Sequence, residues 1–133
     1  MKIKPYDDAA ERQLLSLYGS VGWTACTACP ERLHRAVAGS LCCLTAWEDD
    51  VLAGLVRAVG DGVSVLYVQD LLVRPEYQRR GIGRSLLEAV LSLYPDVRQK
   101  LLLTDDMPET LAFYRALGFA PVGELGGVAM QHR

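Results

Sequence analysis

Val73-Arg74-Pro75-Glu76-Tyr77-Gln78-Arg79-Arg80-Gly81-Ile82-Gly83-Arg84 joins an apolar run ending at Val73 to a stretch in which Leu86, Leu87, Val90 and Leu91 recur with helical period. A strand, a loop and a helix are expected in that order, the helix covering about Gly83 to Tyr94 and stopped by Pro95. The loop has the chemistry of an anion holder. Gly81 and Gly83 allow a sharp turn and close backbone approach, and the first amides of the helix have no internal partner. Those amides and the helix dipole favour phosphate. Arg74, Arg79, Arg80 and Arg84 concentrate positive charge over positions 74 to 84, opposed there only by Glu76. A P-loop needs a Gly-Lys pair, which the chain lacks, and a dinucleotide fingerprint needs a third glycine where Leu86 stands. Such a loop can also be no more than a solvated connection.

Working outward, three apolar runs precede the loop: Leu41 to Trp47, Val51 to Val59 and Val63 to Val73. Glu48-Asp49-Asp50 and Gly60-Asp61-Gly62 separate them, which reads as an antiparallel meander. After the helix, Leu101-Leu102-Leu103 is expected as a short, fully buried strand parallel to the third run, closing a right-handed crossover. Towards the N-terminus, Lys2 to Pro5 is a strand candidate. Ala10, Leu14, Leu17 and Tyr18 form a helical stripe ending at Gly19, and a second helix spans Pro30 to Ala38. Between them Val21-Gly22-Trp23-Thr24 is a loop carrying an aromatic. Beyond the crossover, Asp106 is the expected cap of a helix with Pro108 and Glu109 in its first turn and Gly118 as its stop. Phe119 to Val122 and Val128 to Gln131 are the last strand candidates. The order describes an α/β domain with a mixed sheet.

A chain of 133 residues with half its residues hydrophobic and 23% charged has the size and balance of one globular domain, residues 1–133. Its net charge of −2 argues against a nucleic-acid partner. Polar residues break the longest uncharged run, Gln13 to Pro30, so no membrane partner is expected. The charged start, Met1-Lys2-Ile3-Lys4-Pro5, has no secretory pattern, and a cytoplasmic location is expected. Cys26-Thr27-Ala28-Cys29 and Cys42-Cys43 invite a metal reading. Adjacent residues of a strand point to opposite faces, however, so Cys42 and Cys43 do not readily close one site, and no metal is assigned.

Read together, Gln78-Arg79-Arg80-Gly81-Ile82-Gly83 resembles the Q/R-x-x-G-x-G/A signature of the GNAT superfamily of acetyl-CoA-dependent N-acetyltransferases. Leu71 to Tyr77 is similar to that family's central strand and its approach to the loop. Ala112-Phe113-Tyr114-Arg115-Ala116-Leu117-Gly118-Phe119 resembles its second hallmark. The resemblance runs from Val51 to Phe119, with the N-terminal helices matched only in outline. It implies a mixed, mostly antiparallel sheet of about six to seven strands with one splayed parallel pair, Tyr67 to Val73 and Lys100 to Thr104, flanked by about four helices. It also implies acetyl-CoA as donor, held by Leu71, Leu72 and Val73 and by Gln78, Arg79, Arg80, Gly81, Ile82, Gly83, Arg84 and Ser85.

By the same resemblance, Tyr114 faces the departing sulfur, and Trp23 and Tyr67 are candidates for the acceptor pocket, as is Tyr18, with Trp23 and Tyr18 equally readable as core residues. An amine of pKa about 10.4 is neutral only about once in 2,500 at pH 7, which costs about 4.6 kcal/mol, so a proton acceptor is valuable. Tyr67 stands where some family members carry a glutamate base. Asp70 is the nearest carboxylate on the strand, its face depending on a bulge that the sequence does not locate. Asp105 and Asp106 lie at the other strand's end, and Met107 replaces a common asparagine. An acetyl-cysteine route through Cys42 or Cys43 lacks a histidine to activate the thiol; His34 and His132 receive no role. The expected reaction is direct transfer to a primary amine, with a small molecule favoured over a protein tail. The alternative is a non-catalytic acyl-CoA-binding or sensing module. The expected partners are acetyl-CoA and an amine acceptor, and a homodimer stays open.

Overall fold

The structure is a computed structural model describing residues Met1–Arg133. The chain falls into two units, Met1–Leu103 and Thr104–Arg133. The first holds a sheet of order β1-β2-β3-β4-β5, made of β1 (Lys2–Pro5), β2 (Cys42–Glu48), β3 (Val51–Gly60), β4 (Val65–Val73) and β5 (Gln99–Leu102). The first four strands pair antiparallel in succession, and β4 pairs with β5 in parallel. Five strands form instead of six to seven.

The helical stripe of Ala10, Leu14, Leu17 and Tyr18 is fully buried, yet it spans two helices, α1 (Asp8–Glu11) and α2 (Leu14–Ser20). Gln13 stands at the break. Its amide Nε2 donates to the Asp50 carbonyl at 2.8 Å, and its Oε1 accepts from the Leu52 amide at 2.9 Å, tying the join to the β2–β3 hairpin. A short α3 (Thr24–Thr27) follows Trp23, then α4 (Pro30–Ala38), which buries Leu33 and Val37. These helices share one core with Trp47, Leu52, Leu55 and Leu72 on one face of the sheet. On the opposite face, α5 (Ile82–Leu93) buries Ile82, Leu86, Leu87 and Val90. A Cβ added at Gly54 of β3 would lie 3.2 and 3.3 Å from Leu86 and Ile82, so glycine there lets α5 pack closely on the sheet.

Strand β5 is not fully buried as expected. It is the last strand of the sheet, with a partner on one edge only, and Leu101 and Leu103 are 37% and 57% exposed. No helix is long and apolar enough to cross a membrane.

The second unit holds α6 (Pro108–Ala116), capped by the backbone of Met107, with no side-chain cap from Asp106. The two C-terminal strand candidates do not form. Pro121 interrupts the first and leads into a 3₁₀ turn at Val122–Leu125. The second follows the Gly126-Gly127 pair and leaves Val128 and Met130 exposed. Residues with a taste for strands need an edge to pair with, and propensity alone does not supply one.

Candidate active site

Strand β4 carries the bulge that sequence could not place. Arg57 pairs with Asp70 and Ala58 with Val68, so Gln69 is the extra residue. The bulge inverts the faces beyond it: Tyr67 and Asp70 share a face, whereas strict alternation would oppose them. Asp70 and Leu72 therefore point towards α2, and Leu71 and Val73 towards α5. Parallel pairing with β5 runs only from Val65↔Gln99 to Val68↔Leu102. From Gln69 to Val73 the outer edge of β4 has no strand beside it, although β3 continues to pair with its other edge. Its outward backbone groups are open to an extended ligand.

The chain then turns through a 3₁₀ segment, Pro75–Tyr77, into the loop before α5. The Gln78 side-chain Nε2 donates to the Val73 carbonyl at 3.0 Å, pinning the loop to the end of the strand. Arg79 and Gly81 both adopt left-handed backbone, φ 65° and 80°. No side chain caps α5, so its first amides are free. The position of a Gly81 Cβ has no atom within 4 Å, leaving a bare approach to them.

The four arginines divide. Arg74 is structural: its Nε donates to the Leu52 carbonyl at 2.7 Å and its Nη1 to Ser16 Oγ at 3.0 Å. Arg84 pairs with Glu88 at 2.8 Å. Arg80 lies over the Tyr77 ring at 5.3 Å, and Arg79 is exposed without an ion pair. The free positive charge of the loop thus rests on Arg79 and Arg80. Ile82, the first residue of α5, is buried; Gly83 and Ser85 lie half-buried in the same turn.

On the α2 face, Asp70 Oδ2 accepts from the Tyr18 hydroxyl at 2.8 Å and from Arg57 Nε at 2.7 Å. Arg57 Nη1 reaches the Ala36 carbonyl and Ser40 Oγ at 3.4 and 3.2 Å. Burial, and then the charge of Asp70, push the Tyr18 phenol far up, so it stays protonated and donates. Trp23 packs edge-on to Tyr18 with centroids 5.8 Å apart, half-buried against the core. Tyr67 is half-buried on the same face of β4 as Asp70. This network escaped the sequence reading. Its signal was there: Arg57 and Asp70 are the only charges inside the strands Val51–Gly60 and Val65–Val73, and a charge in an apolar strand needs a partner.

In the second unit, Tyr114 packs edge-on between Phe113 and Phe119, centroids 5.0 and 5.9 Å away. Burial raises its phenol above the ordinary range, which fits it to donate a hydrogen bond and not to ionise. Asp105, Asp106 and Met107 are exposed. All four cysteines are free thiols, and no three His, Cys, Asp or Glu side chains gather as a metal site. Burial pushes Cys43 up to about 12, leaving little thiolate at neutral pH for an acetyl-cysteine route.

Comparison with known proteins gives the same family from three directions. The model of the acetyltransferase (GNAT) family matches residues 10–119. A ycf52-like N-acetyltransferase of Prochlorococcus marinus is 30% identical over 113 residues, covering 80% of this chain and 61% of that protein. The chloroplastic serotonin N-acetyltransferase 2 of Oryza sativa is 34% identical over 100 residues, 68% of this chain and 47% of that protein. The chain therefore spans about half to three fifths of these two relatives. A GNAT family acetyltransferase of Streptococcus pneumoniae has the same fold with a TM-score of 0.86 and 35% identity, covering 99% of this chain and 95% of that one. Matched by the family model over residues 10–119, and sharing its fold and 35% of its residues with a GNAT family protein across nearly its whole length, the chain belongs to the GNAT acetyltransferase family.

Proposed function

We propose that the protein is an N-acetyltransferase that moves the acetyl group of acetyl-CoA directly to a primary amine of a small molecule. The observation that carries this reading is the continuity of one surface. The unpaired edge of β4, Gln69 to Val73, leads through the left-handed loop into the free amides of α5. An extended pantetheine arm fits the strand edge through Leu71, Leu72 and Val73, and a pyrophosphate suits the backbone from Gln78 to Ser85 with Arg79 and Arg80 beside it. Family membership and the open position beside Gly81 support the assignment. We further propose that both units form one acetyltransferase domain, since the family match at residues 10–119 runs across their boundary.

The bound thioester supplies an activated acetyl group. Residues of β4 orient it: a backbone amide of the open edge donates to the carbonyl oxygen, where negative charge grows as the amine attacks. Asp70, next to Leu71, offers its second carboxylate oxygen to the incoming amine. Oδ2 is committed to Arg57 and Tyr18, so Oδ1 is the free acceptor. The family resemblance assigns Tyr114, protonated, the role of donor to the sulfur as the C–S bond breaks. A thiol of pKa about 8.5 facing a phenol of about 10 makes full proton transfer uphill by about 2 kcal/mol, and the raised phenol makes it steeper.

The test is release of free thiol from acetyl-CoA across a panel of amines. Amine-dependent release is expected, with Tyr114→Phe lowering kcat about ten- to a thousand-fold at little change in acetyl-CoA affinity. Acetyl-CoA binding without amine-dependent release would favour the non-catalytic sensing module. Equal kcat in the two proteins, with chemistry limiting turnover, would make Tyr114 a packing residue.

A further inference from the structure

We infer that the acceptor is an amine carrying an anionic group, its amine held at Asp70 and its anion at Arg57, Arg32 and Arg35. The inference rests on the acetyltransferase reading and names the acceptor class that the site would take. Arginine and carboxylate usually meet through two parallel bonds. Here only Nε and Oδ2 join, because Tyr18 takes part of the carboxylate and Ala36 and Ser40 take Nη1. Asp70 Oδ1 and Arg57 Nη2 have no partner in the protein. Neither is sealed from solvent, since no buried side-chain polar atom lacks a partner. The ion pair is nine-tenths buried, yet it presents one free acceptor and one free donor to the outside. That couple complements a group bearing both an amine and an acid.

A second observation lies on α4, the helix whose Ala36 carbonyl Arg57 reaches. Ala36, whose carbonyl accepts from Arg57, lines an open cleft of about 480 Å3 with Arg32 and Arg35. No carboxylate lines this cleft, and neither arginine has an ion-pair partner within 4 Å. Arg32 and Arg35 thus add unpaired positive charge beside the carbonyl that Arg57 reaches, on a chain that is acidic as a whole. The local field favours anions and opposes polyamines.

The test measures binding of L-glutamate and phosphoethanolamine to the full chain saturated with CoA, against glutamine amide, ethanolamine and spermidine. The anionic amines are expected to bind at least tenfold more tightly than the counterparts that lack the anion. Arg32→Glu/Arg35→Glu should remove that preference with CoA affinity unchanged, and Arg32→Lys/Arg35→Lys should keep most of it. Equal binding of amines with and without the anion, tighter binding of spermidine, no binding of any probe, or a preference that survives charge reversal would each overturn the inference. Thiol release with the same amines separates the two readings. A binding preference without acetyl transfer removes the enzyme and keeps the recognition; transfer only to amines without the anion keeps the enzyme and removes the acceptor class.

Discussion

The two halves of β4 share one strand and have opposite surroundings. From Leu66 to Val68 both edges are paired, to β3 and β5; from Asp70 to Val73 only the β3 edge is. The first half is closed into the sheet, with Leu66 and Val68 buried. The second half keeps backbone donors and acceptors that no neighbour uses, and the bulge at its start turns Asp70 towards Tyr18 of α2 and Arg57 of β3. A strand becomes a binding edge when its neighbour is shorter than itself.

The sharpest way to break this contrast is by stability. Leu66→Ala in the paired half should cost about 2–5 kcal/mol, the usual range for a buried leucine in a packed core, whereas Leu71→Ala, half-buried in the open half, should cost less than half as much. Urea unfolding of both variants checks it, and equal losses would dissolve the distinction. Next in size, Gly81→Val should weaken acetyl-CoA binding more than a hundredfold by calorimetry, about 2.7 kcal/mol or more. Its side chain would enter the open approach to the α5 amides, and a branched residue is strained at φ 80°. Gly81→Ala carries the milder strain of the same backbone and should fall between; unchanged affinity in both variants would remove the loop from the site.

A smaller effect is expected from Tyr18→Phe, about 1.5–3 kcal/mol, for a hydrogen bond to a charged partner. It also has a pH signature. Tyr18 and Cys43 both hold their protons more tightly folded than unfolded, so their contribution is complete at low pH and is lost as pH rises. The decline should begin near pH 8.5 with Cys43, raised to about 12, and steepen above pH 10 with Tyr18. Unfolding midpoints from pH 7 to 11 should show Tyr18→Phe flattening only the upper part. The smallest change belongs to the exposed arginines. Arg79→Ala should weaken acetyl-CoA two- to fivefold and reduce the salt dependence, while Arg84→Ala, already offset by Glu88, should do less. A larger loss at Arg84 would relocate the anion site.

The local features of this molecule were legible and the long-range ones were not. The meander, the crossover helix, the helix at Pro30–Ala38 and the glycine loop all follow from periodicity and turn residues within a few positions, and the structure has them. The bulge at Gln69 depends on the count of residues between β3 and β4, which no local pattern records. The network of Tyr18, Arg57 and Asp70 joins three segments up to 52 positions apart. The reading of Leu101 to Leu103 as fully buried, and of the two C-terminal segments as strands, treated apolar composition as proof of a partner. Similarly, four arginines close in sequence looked like one patch, but Arg74 turns back to Leu52 and Ser16.

Arg79 and Gly81, two left-handed residues on either side of Arg80, settle the shape of the loop while the chain folds. An L-residue in that region carries a conformational penalty of about 1–3 kcal/mol, and the folded protein bears it whether or not a ligand is present. A ligand meeting a cradle already formed loses only its own freedom and does not have to order the backbone around it. Relaxing position 79 with glycine would therefore ease folding locally while giving the empty loop more ways to move, so that tighter packing of the free protein and tighter grip on its ligand would cease to rise together.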